Sequence, residues 1–373
     1  MPGSGPVRER RRARLAAALG VTRVARLTGL DRTGVEVAAA VRPGGHVLQV
    51  STGKGETFAA AAAGALAEAA ELWAAERPGP LLHATAEELR ARPGGGALLA
   101  PADLAPGGAP PAWARLRIAW LEAADLGTGR PCLVPAQAVH CPPAGAAPLG
   151  PAVLPWTSNG MGAHPSRDAA LLHALLEACE RDQLARALPR GFTAAEVRRR
   201  LLAPGSLARA APRAAAWAAR LEARGLAVHL LDLTADLGLP VAGALVADEG
   251  GPVPLAAGYA CRLGRDEALL AALLEAAQSR LTEIHGARED VLHGERTAAA
   301  PLAAWCRRAR PTRRASALPD HRARAPRAAL RLVLARLAAA GRPRVVAAHL
   351  GAPGGLHVVK VLAPGLLRSE LLG

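Results

Sequence analysis

Three stretches of this chain carry oxygen-bearing side chains in pairs, three residues apart. They are Glu68-Ala-Ala-Glu71, Glu177-Ala-Cys-Glu180 followed by Arg181 and Asp182, and Glu275-Ala-Ala-Gln278 followed by Arg280. In an α-helix a step of three puts both members of a pair on one face, a turn apart. The neighbours are Ala, Leu and Cys, which places the acids near the interior, where an uncompensated carboxylate is strongly disfavoured. A shared cation resolves this: Mg2+ takes carboxylate, water and phosphate oxygens, and Arg181 and Arg280 would clamp the remaining phosphate charge. One such pair alone reads as a solvated helix face. Three pairs on three apolar helices read as a site.

Two loops precede these helices. In Ser51-Thr-Gly-Lys54-Gly55, a Gly-flanked lysine beside a helix start can approach phosphate, or it is an exposed lysine leaving a hairpin. The loop is not a Walker A motif, because Leu48 holds the place of the first glycine and Gly55 follows the lysine. Lys54 and Lys360 are the chain's two lysines among 46 basic residues, which favours a specific role for Lys54. In Ser158-Asn159-Gly160-Met161-Gly162, Asn159 either bonds a ligand or adopts a turn before Gly160. His173, four residues before Glu177, is a core histidine or a catalytic one. The sequence assigns no catalytic side chain.

Helices are expected at about 57–77, 166–188 and 265–284, with Ser166 and Asp266 as start or capping signals. A helix end, a strand, a Gly-containing turn and a second strand recur at 15–44, 220–248 and 336–365. Segments 92–112, 136–155 and 307–328 are rich in Pro, Gly or Arg and read as connections. Strand pairs backed by helices give an α+β class with mixed or antiparallel sheets.

The 373 residues suffice for a large core, and the composition, half apolar and 21% charged, is that of a globular protein. The net charge of +15 suits a phosphate-rich ligand or an acidic peptide better than nucleic acid, for which no stacking set or recognition motif is present. Five widely spaced cysteines without a CxxC pair indicate neither a disulfide framework nor a zinc ribbon, and His140-Cys141 near Cys132 fits no zinc spacing. No signal peptide and no run of about 20 uninterrupted apolar residues is seen. A soluble cytoplasmic protein is expected, with a homodimer as the default assembly.

Taken in order, STGKGETFAAAAAGALAEAAE (51–71), SNGMGAHPSRDAALLHALLEACERD (158–182) and GRDEALLAALLEAAQSRLTEIHGARED (264–290) resemble the YcaO family. VVKVLAPGL (358–366) resembles that family's C-terminal strand and Pro-Gly-Leu ending. The resemblance implies a basic arm over 1–14 and a single YcaO-like domain over 15–373, with ATP-site motifs at 51–76, 158–182 and 264–290 and a closing unit at 336–366. By motif position it implies Glu68, Glu71, Glu177, Glu180 and Glu275 as metal or nucleotide ligands, with Arg181, Gln278 and Arg280 also in the site. Lys54 and Asn159 join them as candidate cofactor contacts. The implied cofactors are ATP and Mg2+. The implied reaction is phosphorylation of a backbone amide oxygen after a nucleophile attacks the amide, giving an azoline, a thioamide or an amidine. An amide oxygen leaves poorly as hydroxide and well as phosphate.

Two positions depart from the family's pattern: Gly64 stands where Ser is frequent, and Leu72 where Arg is frequent. The ending PGLLRSELLG lacks the proline-rich tail of many azoline formers, and no fused leader-peptide-binding domain is expected before residue 15. With GVTRVARLTGLDRTGVEV (20–37), these features are most similar to members that make thioamides with a TfuA-like partner. Azoline or macroamidine formation, with a separate leader-binding protein, is the alternative. An ATP-binding accessory protein without turnover is the non-enzymatic one, and a basic protein on RNA or membrane rests on charge alone.

Overall fold

The computed structural model describes residues 5–91, 97–105, 109–288 and 299–367. The last two residues of the third motif, part of the 92–112 connection, the first four residues of the arm and the tail beyond 367 lie outside these. Residues 5–14 of the expected arm are the first turns of helix Gly5–Leu19, whose Leu15 and Leu19 are buried. The three acidic stretches are helices Phe58–Ala75, Arg167–Ala187 and Arg265–His285. Thr57 caps the first, its hydroxyl accepting from the Ala60 N–H. Ser166 stands at the N-cap of the second without a side-chain capping bond.

Asp266 does not cap its own helix, where Gly264 is the N-cap. Its carboxylate instead accepts from the Arg213 and Ala214 N–H groups at 3.2 and 2.9 Å, capping the neighbouring helix Pro212–Glu222. Among the described residues, Phe58–Ala75 is long and apolar enough to cross a membrane by length and composition, although Glu68 and Glu71 interrupt its apolar run. Here half of it is buried, and it packs on strand Val50–Gly55.

The three strand–turn–strand copies are present: Arg23–Arg26 with Glu36–Val41, Ala227–Asp232 with Val241–Ala247, and Val346–His349 with His357–Leu362. Each follows a helix that ends at a glycine in the left-handed region, Gly20, Gly225 or Gly341, as helix C-termini favour. Every copy gains a third antiparallel strand leading into a carboxylate helix. For the first two it comes next in sequence, Val50–Gly55 and Leu255–Cys261. The last copy instead recruits Met161–His164 from far upstream, with His357 opposite His164 and Lys360 opposite Met161. The result is two three-stranded sheets and one seven-stranded sheet, each carrying one acidic helix.

Candidate functional site

Each acidic helix lies close on the strand before it, because that strand presents a glycine where the helix backbone crosses. A Cβ on Gly53 would drive into Ala61 O and Ala65 N. One on Gly162 would stand 2.5 Å from Ala170 O, and one on Gly258 would stand 2.7 Å from the Glu275 carbonyl carbon. Such contacts fix how each helix is rotated, and so where its carboxylates point. Gly64 faces the same seam, where a Cβ would lie in ordinary contact 3.4 Å from Gly53 Cα. Leu72 is buried in the core.

The polar pairs then divide their work. Within its own unit, Glu68 accepts from the Thr52 N–H at 2.6 Å, and Glu275 from the Tyr259 N–H at 3.4 Å. The second member of each pair reaches the next unit. Glu71 lies beside the Ala163 N–H, which favours its charged form, and Glu180 accepts from the Cys261 N–H at 3.1 Å. Gln278 donates to Thr52 Oγ1 at 2.8 Å. The three helices and three strands are thereby joined in a closed ring, with the carboxylates gathered where the units meet.

Burial raises Glu71 well above the ordinary carboxylate range, and the nearby Glu177 and Glu68 add to the shift. Glu177 is pushed up to about 7 by burial, against the pull of Arg181 and Lys360 and with repulsion from Glu275 and Glu68. Glu180 is likewise raised, by burial and then by Glu275. Burial acts on Glu275 in the same direction, but Lys54, 2.6 Å from its Oε2, and Arg181 bring it below the ordinary value. For Glu71, Glu177 and Glu180 burial thus outweighs the pull of the neighbouring cations. Two polar atoms beside the ring, Asn159 Oδ1 and Arg181 Nε, are buried without a hydrogen-bond partner. Buried carboxylates with raised proton affinity beside an unmet donor and acceptor fit a polar ligand that brings both cations and anionic oxygens. Among the described residues, no three His, Cys, Asp or Glu side chains converge tightly enough to hold a metal ion by themselves.

The family model described as YcaO cyclodehydratase, ATP- and Mg2+-binding, matches residues 52–367, most of the chain and all three acidic helices. The chain belongs to the YcaO family. ATP and Mg2+ are the cofactors of that family. A protein of Methanothermobacter thermautotrophicus is 31% identical over 93% of this chain and 90% of its own. A Rhizobium leguminosarum bv. trifolii protein, encoded in the 3′ region of tfuA, is 33% identical over 73% of this chain and 64% of its own. The fold matches that of YcaO from Methanopyrus kandleri bound with AMPPCP and Mg2+, at TM-score 0.69 and 24% identity, over 98% of this chain and 91% of that one. It also matches a heterocyclase in complex with substrate and cofactor, at TM-score 0.69 and 20% identity, over 93% of this chain and 50% of that one.

Of the residues that the sequence nominates in this YcaO chain, Lys54, Glu68, Glu71, Glu177, Glu180, Arg181, Glu275 and Gln278 come together in the ring. Asn159 sits at its edge, on the turn that Gly160 allows by its φ of +79°. Arg280 does not join them. Its guanidinium is 1% exposed and committed to Asp31 at 3.0 Å, Asp248 at 2.7 Å and Val253 O at 2.6 Å, so it ties the third helix to two loops. Five residues beyond Glu275, it projects from another side of the helix. Asp182 is equally committed, accepting from Arg186, Arg342, Gln183 and the Leu367 N–H. His173 is exposed instead of belonging to the core, with Arg262, Lys54 and Glu275 as charged neighbours. Two site residues escaped the sequence reading. Lys360, 2% exposed, donates to Thr157 O and Asn159 O at 2.5 and 2.6 Å and pulls on Glu71 and Glu177. Arg288 lies 3.4 Å from Glu68 Oε1 and from Thr52 Oγ1. The rarity of lysine, applied to Lys360 as to Lys54, would have found the first.

Proposed function

We propose that this chain uses Mg2+ and ATP to activate a backbone amide of a peptide or protein, and that the product is a thioamide formed with a TfuA-like partner. The observation that carries the proposal is the ring of five glutamates from three helices, three of them held above the ordinary carboxylate range by burial. Glu68, Glu71, Glu177, Glu180 and Glu275 would hold the metal together with nucleotide phosphates. Lys54, Arg181, Asn159 and Gln278 would contact the nucleotide, while Arg280 stays with its two aspartates. When bound, Mg2+–ATP supplies the phosphoryl group that turns the amide oxygen into a phosphate leaving group. The protein's own share is to hold the cluster rigid through the backbone N–H bonds of Thr52, Tyr259 and Cys261. Lys54 and Lys360 keep it from repelling itself apart. The gene neighbourhood of the Rhizobium relative supports the thioamide branch.

Co-expression of the chain with a TfuA-like protein and a candidate substrate, followed by mass spectrometry, tests this. Exchange of one oxygen for sulfur in the substrate, lost in Glu180→Gln, is the expected result. Loss of water would replace the thioamide by an azoline. Unchanged turnover in both Glu177→Gln and Glu180→Gln would remove the catalytic site from this ring.

A further inference from the structure

The net charge is not spread over the molecule. Residues 307–336 hold ten arginines against one aspartate, so nine of the fifteen net positive charges fall within thirty residues. The segment runs from the end of helix Ala299–Arg308, through an irregular stretch at 309–325, into helix Pro326–Ala339. Both helices cover one core, to which Leu302, Cys306, Leu330, Val333 and Leu337 all belong. The irregular stretch between them is pinned rather than loose. Ala315 and Leu318 are buried, Ala203 donates to Arg313 O at 2.8 Å, Ala315 donates to Ser206 Oγ at 2.8 Å, and His321 donates to Leu263 O at 2.9 Å. At its far end, the His321 ring meets Gly238 O at 2.7 Å, and the Arg336 guanidinium lies against Gly238.

Acids compensate few of these arginines. Asp320 accepts the Arg265 N–H, Arg307 pairs with Glu249, and Arg313 pairs with Asp232. Arg308, Arg310, Arg314, Arg322, Arg324 and Arg327 are exposed and, among the described residues, bond no carboxylate. Arg331 stands one turn beyond Arg327 in the same condition. A long irregular segment held by backbone bonds, with like charges displayed outward, is a preorganised surface. Guanidinium groups match carboxylates through paired hydrogen bonds. Bases would require stacking rings, and between 307 and 336 there is no Trp, Tyr or Phe.

We propose that this arginine face is the docking surface for an acidic segment of a protein partner, separate from the carboxylate ring. The proposal does not depend on the chemistry assigned to that ring. A fluorescein-labelled peptide of Asp and Glu, titrated with the full chain and read by anisotropy at low and moderate salt, serves as the probe. The variant Arg322→Ser/Arg324→Ser/Arg327→Ser is expected to weaken binding about tenfold or more and to flatten its salt dependence. Removing three exposed arginines elsewhere, Arg90→Ser/Arg115→Ser/Arg209→Ser, changes net charge equally and is expected to leave affinity within about twofold. Equal losses in both variants would overturn the proposal, leaving attraction to net charge alone. So would a single-stranded oligonucleotide that binds this face more tightly than the peptide does. Unchanged thermal midpoints show that both variants are folded.

Discussion

Glu177→Gln separates the cost of the carboxylate ring from its use. Burial and neighbouring acids hold Glu177 at about 7 instead of the ordinary 4.5. Its proton is therefore bound more tightly in the folded chain than in the unfolded one. The group's contribution to stability is complete below pH 4.5 and is lost as pH rises through about 7. The shift amounts to about 3 kcal/mol at pH 8, an upper bound because the side chain keeps some contact with water. Glutamine has the same shape and no charge, so in the ligand-free protein it recovers that loss. The expected result at pH 8 is a thermal midpoint about 5 °C above wild type, shrinking towards zero at pH 4.5. Added Mg2+–ATP should raise the wild-type midpoint strongly and that of the variant much less. Scanning calorimetry at both pH values, with and without nucleotide, provides the measurement. A variant less stable than wild type at pH 8 without ligand, or a gain equal at both pH values, refutes the reasoning.

Three further outcomes are expected. Gly258→Ala places a methyl group against the backbone at Glu275, so urea unfolding should show a loss of about 2 kcal/mol or more, whereas Gly79→Ala, with open space around it, should be nearly neutral. Arg280→Met leaves Asp31 buried without its partner and Asp248 with Arg32 alone, and should cost about 3–5 kcal/mol of stability; a variant of normal stability with weakened ATP binding would return Arg280 to the nucleotide site. Lys54→Met removes the ammonium beside Glu275, so the pH below which Mg2+–ATP binding fails should move upward, as followed by isothermal titration; an unmoved profile counts against the pairing.

The three acidic helices were legible because their signal is local: a step of three on an Ala/Leu background is enough to place two side chains on one face. The strand pairs were legible for a similar reason, since helix end, glycine and alternating strand follow one another in the chain. What escaped depended on contacts between distant segments. Arg280 looks like a neighbour of Glu275 by number, yet five residues of helix turn it towards Asp31 and Asp248. Asp266 stands where a cap is expected and serves another helix. Lys360 enters the site only because its strand pairs with Met161–His164, a partner that no local pattern announces.

That pairing also orders events during synthesis. The first sheet and its helix are complete once residue 75 has left the ribosome, and the sheet beneath the third acidic helix once residue 285 has. Glu177 and Glu180 are made between the two, but the hairpin supporting their strand ends only at Leu362. The ring cannot close until Leu362 has emerged. A nascent chain halted before Val346 would carry every ring glutamate and still bring no three-helix centre together, so shortening the distant hairpin should abolish nucleotide binding without removing a single carboxylate.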